Sequence, residues 1–330
     1  MKDTPRRMDS FSLKSVIISF ILIFFLPSLS YGKNYRITII PSSDTDAYIT
    51  TANHIKSTIK KSGNNTIQIN TIKAKDLYYN KNTTIKDVDL FVPIGHHAFK
   101  EILKYSGDAP VLASLISESD FTIISNKYVL PNKPNNIGAI FIDQPIKRNI
   151  RLTKLMLPNS NRIGFIVSES NKSTVNKLNS LIDNNKYHIE VLKSGDNVIS
   201  TLARSLGKLD VVIALPDPIV FNLRTTRNIL LSTYRKRVPI IGFSKSYAKA
   251  GALAAIYSTP ELIGKQTGEY ISNIFKKDLG SNENISLLRF HSKYFSISVN
   301  NSVSHSLGLP ILNAVSLEKK LLRIEEGQYD

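Results

Sequence analysis

The 330-residue chain contains no cysteine and no tryptophan. Without cysteine there is no disulfide, no thiolate nucleophile, no zinc–cysteine centre and no lipid-bearing cysteine behind a leader. Glycine and proline are modest at 15 and 14, which excludes collagen-like and low-complexity chains; 42% hydrophobic against 21% charged residues excludes compositional disorder. The sequence also lacks Gly-x-Ser-x-Gly, Gly-x-Gly-x-x-Gly, a phosphate-binding glycine–lysine loop and His-Glu-x-x-His, so the familiar hydrolase, dinucleotide, nucleotide and zinc-protease motifs are missing. No run beyond residue 26 approaches eighteen apolar residues. What remains is a chain long enough for two domains, each with its own core.

The start of the chain reads as a leader. Lys2, Arg6, Arg7 and Lys14 precede an uncharged apolar run over 16–26, Pro27 breaks it, and Ser30 and Gly32 supply small residues before Lys33. Positive, apolar and small-residue segments in that order are the secretory pattern. As a helix the run spans about 16 Å, against a hydrocarbon core of about 30 Å, so export with cleavage near Gly32 is expected rather than a retained span. An exported chain without crosslinks must rely on its core, which suits a bacterial periplasm.

Beyond residue 33, strands and helices alternate. β-branched runs recur over 36–40, 88–92, 111–116, 137–142, 162–167, 210–215, 238–243 and 252–257. Several are apolar without clean alternation, as in parallel strands covered on both faces. Ala52, Ile55 and Ile59 form a helical stripe, as do Val175, Leu178 and Ile182 behind a Ser170-Asn171 cap. Such alternation predicts an α/β chain of stacked βα units. The pattern restarts at Arg162 after Leu157-Pro158-Asn159, which divides it into two similar lobes. The expected division is a leader over 1–32, a first lobe over 33–143 plus 259–290, a link over 144–160, and a second lobe over 161–258 plus 291–330. A helix capped by Thr259 with the stripe Ile263, Thr267, Ile271 and Ile274, ending before Gly280, and a last strand and helix near 294–299 and 317–324, complete the lobes. The chain therefore crosses between them more than once.

Polar residues collect where the strands end. Ser42, Ser43 and Asp44 follow the first strand and His96 and His97 the second; Ser114 and Ser117-Glu118 mark the third. In the second half Ser168-Glu169-Ser170, Pro216-Asp217-Pro218, Ser244-Lys245-Ser246 and Ser258-Thr259 take the same place. Ligands bind at this edge of open α/β sheets, where the N–H groups of following helices converge. Two such edges face to face make a cleft able to close on a small solute. The candidate ligand-binding set is Ser42, Ser43, Asp44, His96, His97, Ser114, Asp217 and Ser244. Each has a structural alternative as a cap or turn residue; for Asp217, held between two prolines, a carboxylate presented to a cationic ligand and a helix cap weigh equally. Neighbouring histidines diverge in direction, and His54, His188, His291 and His305 add no ligand-like spacing, so no metal site and no cofactor is expected. The formal charge is +17. Its densest stretch, Arg224, Arg227, Arg235, Lys236 and Arg237, lacks the aromatic interleaving of a nucleic-acid platform and reads as solvated surface, useful at most for docking at a membrane protein or anionic headgroups.

Segments 209–218, 237–244, 250–266 and 299–309 resemble the ABC transporter substrate-binding protein family that includes tryptophan-binding and other aromatic amino-acid-binding members. More weakly the likeness extends over most of the chain after the leader. It implies two Rossmann-like lobes joined by a multi-crossover hinge, as in type I periplasmic binding proteins, with a ligand trapped between them. By the same resemblance Asp217 matches an aspartate of the family's second lobe and His96 falls at a hydroxyl position of its first. Pro41-Ser42-Ser43-Asp44 and the double histidine depart from the family pattern, which separates fold from amino-acid specificity. The expected protein is a non-enzymatic, monomeric periplasmic component that binds a small organic solute, an amino acid or similar, and passes it to an inner-membrane ABC permease. A two-lobe sensor or partner of a membrane protein is the alternative, and a hydrolase on the same scaffold a more distant one.

Overall fold

Nearly every strand that the apolar runs predict pairs in parallel, and none could do so without a helix to return the chain. The computed structural model describes residues 34–63, 66–77, 87–128, 136–181, 187–277 and 287–327. The expected leader, Ile182 and Gly280 lie outside them. Residues from Asn34 onward form one compact unit.

The first lobe opens with β1 (Tyr35–Pro41), α1 (Asp46–Lys61), β2 (Ile67–Thr71) and a 3-10 turn at Ala74–Leu77. It continues through β3 (Leu90–Ile94), α2 (His96–Ile102), β4 (Val111–Ile116), α3 (Glu118–Tyr128) and β5 (Ile137–Phe141). The chain then passes to the second lobe: α4 (Ile146–Met156), β6 (Ile163–Ser168), α5 (Lys172–Leu181), β7 (Tyr187–Leu192), α6 (Val198–Leu206), β8 (Val211–Ile213), α7 (Thr226–Arg235), β9 (Ile240–Gly242), α8 (Lys245–Ala250) and β10 (Ala254–Tyr257). It returns for α9 (Pro260–Lys277) and β11 (Arg289–His291), and crosses again for β12 (Ser296–Val299), α10 (Asn301–Leu307) and α11 (Ala314–Glu325). The sheet orders are β11-β5-β4-β3-β1-β2 and β12-β10-β9-β8-β6-β7. The first is parallel throughout, and the second carries one antiparallel edge, β12 on β10. The fold is thus a two-lobe α/β architecture of the type I periplasmic-binding-protein kind.

The inner strands of each sheet are buried on both faces, which is why they read as continuous apolar runs. In the first lobe Ile37, Ile39, Leu90 and Val92 pack under α1 and α9, while Phe91, Phe99, Phe121 and Phe141 fill the opposite face. In the second, Phe165, Val211, Ile213 and Ile256 pack with Leu152 and Met156 of α4, so part of segment 144–160 belongs to this core. Helix α9 lies so close to α1 that a Cβ on Gly264 would sit 2.6 Å from the Thr51 carbonyl and one on Gly268 2.7 Å from Thr58 Cβ. Only glycine permits that approach. Beneath α9, Ser114 Oγ on β4 and Thr267 Oγ1 share a 2.8 Å hydrogen bond.

Three segments cross between the lobes, at 142–145, 258–259 and 292–295, and their polar groups bond to one another. Gln144 Nε2 donates to Ser258 Oγ (2.7 Å), which donates to the Tyr294 carbonyl (2.6 Å). Arg148 Nη1 donates to Gln144 Oε1 (2.8 Å) and to the Ser292 carbonyl (2.7 Å), while Nε and Nη2 grip the Glu325 carboxylate. At 6% exposure Arg148 is out of water, and its guanidinium also lies 4.6 Å over the Phe295 ring. A buried cation with every donor arm engaged holds one geometry.

Candidate functional site

Facing strand ends from the two sheets enclose two adjoining cavities. The outer one, about 280 Å³, is lined by Ser117, Glu118 and Asp143 of the first lobe, by Asn171, Lys177 and Pro216 of the second, and by His291 of β11. The inner one, about 300 Å³, lies against the crossing segments and is lined by Asp143, Gln144, Asn149, Phe243, Ser244 and Tyr257, with Leu215 and Pro216 shared between the two.

The end of β4 shows how the chain reaches this place. Its pairing with β5 slips between Ser114 and Ile116, and Leu115 between them adopts a left-handed φ of 53°. Such a bulge turns a strand end and costs backbone energy that surrounding packing must repay. Beyond it Ser117 and Glu118 reach the cleft, and Asp143 Oδ2 receives the Glu118 N–H at 2.6 Å, a carboxylate at the positive end of α3. Across the cleft Asn171 Oδ1 accepts from Thr174 N–H, 3.4 Å away, at the start of α5.

Charge in the outer cavity is largely balanced. The Glu118 carboxylate meets Lys177 of the opposite lobe and the His291 ring nitrogen at 3.1 Å. The His291 hydrogen bond, with the Lys177 contact and against the opposing effect of burial, holds the Glu118 carboxyl down to about 2. Asp143 moves the other way: burial raises it above the ordinary range, because its ionised form is poorly solvated there.

Of the eight residues expected to bind ligand, Ser244 alone contributes to these walls, and its hydroxyl also accepts the Tyr247 N–H as the cap of α8. Ser42 Oγ donates to the Ile94 carbonyl (2.7 Å) and accepts the Ala98 N–H (2.9 Å), tying β1 to the start of α2. His96 and His97 stand exposed in the first turn of that helix. Ser43 is exposed and bonds locally to Thr45. Asp44 pairs with Lys73 at 2.8 Å on the surface, and that hydrogen bond lowers its carboxyl pKa. Ser114 is fully buried against Thr267. Asp217 is 2% exposed; Oδ2 accepts from Ser168 N–H and Oγ (both 2.8 Å), and Oδ1 from the N–H groups of Ile219 and Val220. Its carboxylate is thus occupied as a cap that also pins the end of β6. Among the described residues no group of three or more histidines and carboxylates could hold a metal ion, and no helix is long and apolar enough to cross a membrane.

A two-lobe α/β fold with a cleft between the lobes defines the class, and solved structures share that fold. The chain is similar to a ligand-free, open substrate-binding protein with adhesive properties from Clostridium difficile, at 19% identity and a TM-score of 0.64 over 84% of this chain and 96% of that one. It is also similar to an ABC domain in complex with L-Trp from Streptococcus pneumonia, at 18% identity and 0.55 over 87% and 98%. A conserved domain protein from Vibrio cholerae gives 18% and 0.55 over 86% and 98%. No curated protein matches the chain in sequence. Residues 79–320 match the family model of the ABC transporter substrate binding protein, and the chain belongs to that family. It is a non-catalytic solute-binding component of an ABC transporter system, of the extracytoplasmic kind typical of the family.

Proposed function

We propose that the protein captures a small organic solute, an amino acid or similar, in the inter-lobe cleft and hands it to an inner-membrane ABC permease. On this reading the leader over 1–32 is cleaved and the mature protein works in the periplasm as a monomer. The observation that carries the reading is the pair of adjoining cavities walled by both lobes. A solute touching both walls stabilises the closed state through contacts the open state cannot make. An amino acid suits the charge layout. The outer cavity is bordered by the first turns of α4 and α5 and by Lys147, which favour a carboxylate, while Lys177 is already paired with Glu118 and Asp143 favours an ammonium. One similar structure holds L-Trp, in keeping with a ligand of that size.

Native mass spectrometry of freshly purified protein, before dialysis, tests the reading directly, since a retained solute adds its own mass. Small-angle scattering with that solute restored to dialysed protein should then show a smaller radius of gyration. Failure to retain or rebind any small molecule would overturn capture as the function.

A further inference from the structure

The inner cavity has a chemical sign that the outer one lacks. Among its lining residues Asp143 alone carries a formal charge. Its Oδ2 receives the Glu118 N–H, and its Oδ1 receives no hydrogen bond among the described residues. Beside it in the same wall stands Asn149 of α4, 2% exposed. The Asn149 amide is oriented by its own donor, Nδ2 to the Pro145 carbonyl at 3.2 Å, which leaves Oδ1 buried with no partner among the described residues. A buried acceptor without a donor costs free energy that a ligand N–H can recover. The apolar part of the lining is the rings of Phe243 and Tyr257 with Leu215, Pro216 and Ile142, and its uncharged polar part is Ser117, Gln144, Ser244 and Ser258. The Tyr257 hydroxyl is already bonded to Ser298 Oγ, so that residue offers mainly its ring.

We infer that the inner cavity receives the protonated nitrogen of an organic cation carrying an apolar body, with Asp143 Oδ1 and Asn149 Oδ1 as its two acceptors. An ammonium has donors for both oxygens at once, and the aromatic walls favour a cation with carbon attached. A carboxylate or phosphate there would face one charge of its own sign and a second acceptor. Burial raises the Asp143 carboxyl, and an arriving cation reverses that by stabilising the ionised form. The inference rests on the solute-capture reading and names the end of the solute that the hinge side of the cleft recognises.

The test uses three probes of nearly equal shape, 2-phenylethylamine, 2-phenylethanol and 3-phenylpropionate, titrated calorimetrically into the purified protein. The amine should bind about tenfold or more tightly than either other probe. Asp143→Asn keeps an oxygen for the Glu118 N–H, so α3 stays capped, and it should erase the preference for the amine. Asn149→Leu should weaken the amine several-fold and leave 2-phenylethanol unchanged. Equal or tighter binding of the acid, or an amine preference that survives Asp143→Asn, overturns the inference. A retained native solute without a protonatable nitrogen overturns it too, while leaving solute capture intact; absence of all solute binding overturns both.

Discussion

Two stretches of the first lobe's strand-end edge use the same residue types in opposite ways. At the ends of β1 and β3, Ser42 bonds the Ile94 carbonyl and the Ala98 N–H, so its hydroxyl is consumed in joining a strand to a helix. At the ends of β4 and β5, Ser117, Glu118 and Asp143 border the cavities, and Asp143 Oδ1 receives no hydrogen bond among the described residues. The difference lies in the backbone. Gly95, at a φ of 85°, turns β3 directly into α2 and brings Ser42 over the new helix, whereas the bulge at Leu115 carries the end of β4 out toward the other lobe. A polar residue at a strand end is therefore a wall residue only where the local turn carries it to the cleft, as Ser117 is carried while it accepts the Asp120 N–H and Ser244 while it caps α8.

If groups consumed internally are structural, the largest loss should come from the most thoroughly consumed one. Arg148→Ala removes the buried donor of Gln144 Oε1 and the Ser292 carbonyl and leaves the half-buried Glu325 carboxylate to Arg151 alone, 3.6 Å away. A loss of about 3–5 kcal/mol in urea-unfolding stability is expected for breaking such a pair. A loss well under 1 kcal/mol would mean that the crossing segments are not held by this cation, and the contrast between hinge and cleft would weaken.

Asp217 comes next and tests the contrast most directly, because its residue type and position fit a pocket carboxylate equally well. Asp217→Ala removes acceptors for the Ile219, Val220 and Ser168 N–H groups. Stability should fall by about 2–3 kcal/mol. Affinity for the retained solute, measured calorimetrically below the unfolding transition, should be unchanged. Unaltered stability with lost affinity would return Asp217 to the binding site.

The lobes themselves were legible because their physics is local. Runs such as 111–116 and 163–168 are apolar but for one serine each and buried at every position, and the buried stripe of α1 recurs at helical spacing. The edge strands β2 and β7 were not, although β12, also at an edge, falls within the strand expected at 294–299. In β2, Gln68 and Asn70 alternate with half-buried isoleucines, and β7 is half-exposed along most of its length, so neither carries a continuous apolar run. The close approach of α9 to α1 could have been suspected from Gly264 and Gly268, four residues apart on one helix face, but nothing local names the partner helix. For the cleft, sequence reasoning pointed to the strand-end edge of each sheet, where the two cavities lie. It could not tell consumed hydroxyls from free ones, since Ser42 and Ser114 are decided by contacts to residues tens or hundreds of positions away. Lys177, Asn149 and His291 were missed because each sits within a helix or strand whose pattern gives it no functional mark. A lysine facing a glutamate from the other lobe is visible only once both lobes are placed.

The smallest expected effects compare two carboxylates that are both lowered by hydrogen bonds, Glu118 by His291 and then Lys177, Asp44 by Lys73. Glu118 spans the cleft to Lys177 and is partly buried beside His291, whereas Asp44 meets Lys73 in open solvent. A carboxyl lowered from 4.5 to about 2 contributes stability that is fully present above about pH 4.5 and is lost as the pH falls toward 2. After allowance for solvent screening at this partly exposed pair, about 1–2 kcal/mol should disappear over that interval. Glu118→Gln should flatten this part of the acid-unfolding curve relative to the parent protein. The same substitution removes the only charge on the first lobe's side of the Lys177 pair, so the unliganded radius of gyration at neutral pH should increase slightly. Asp44→Ala should change neither the acid limb nor the radius, because its ion pair exchanges one fully hydrated geometry for another. An equal response from the two variants would mean that Glu118 is as freely solvated as Asp44, and that the outer cavity is not closed by an inter-lobe ion pair.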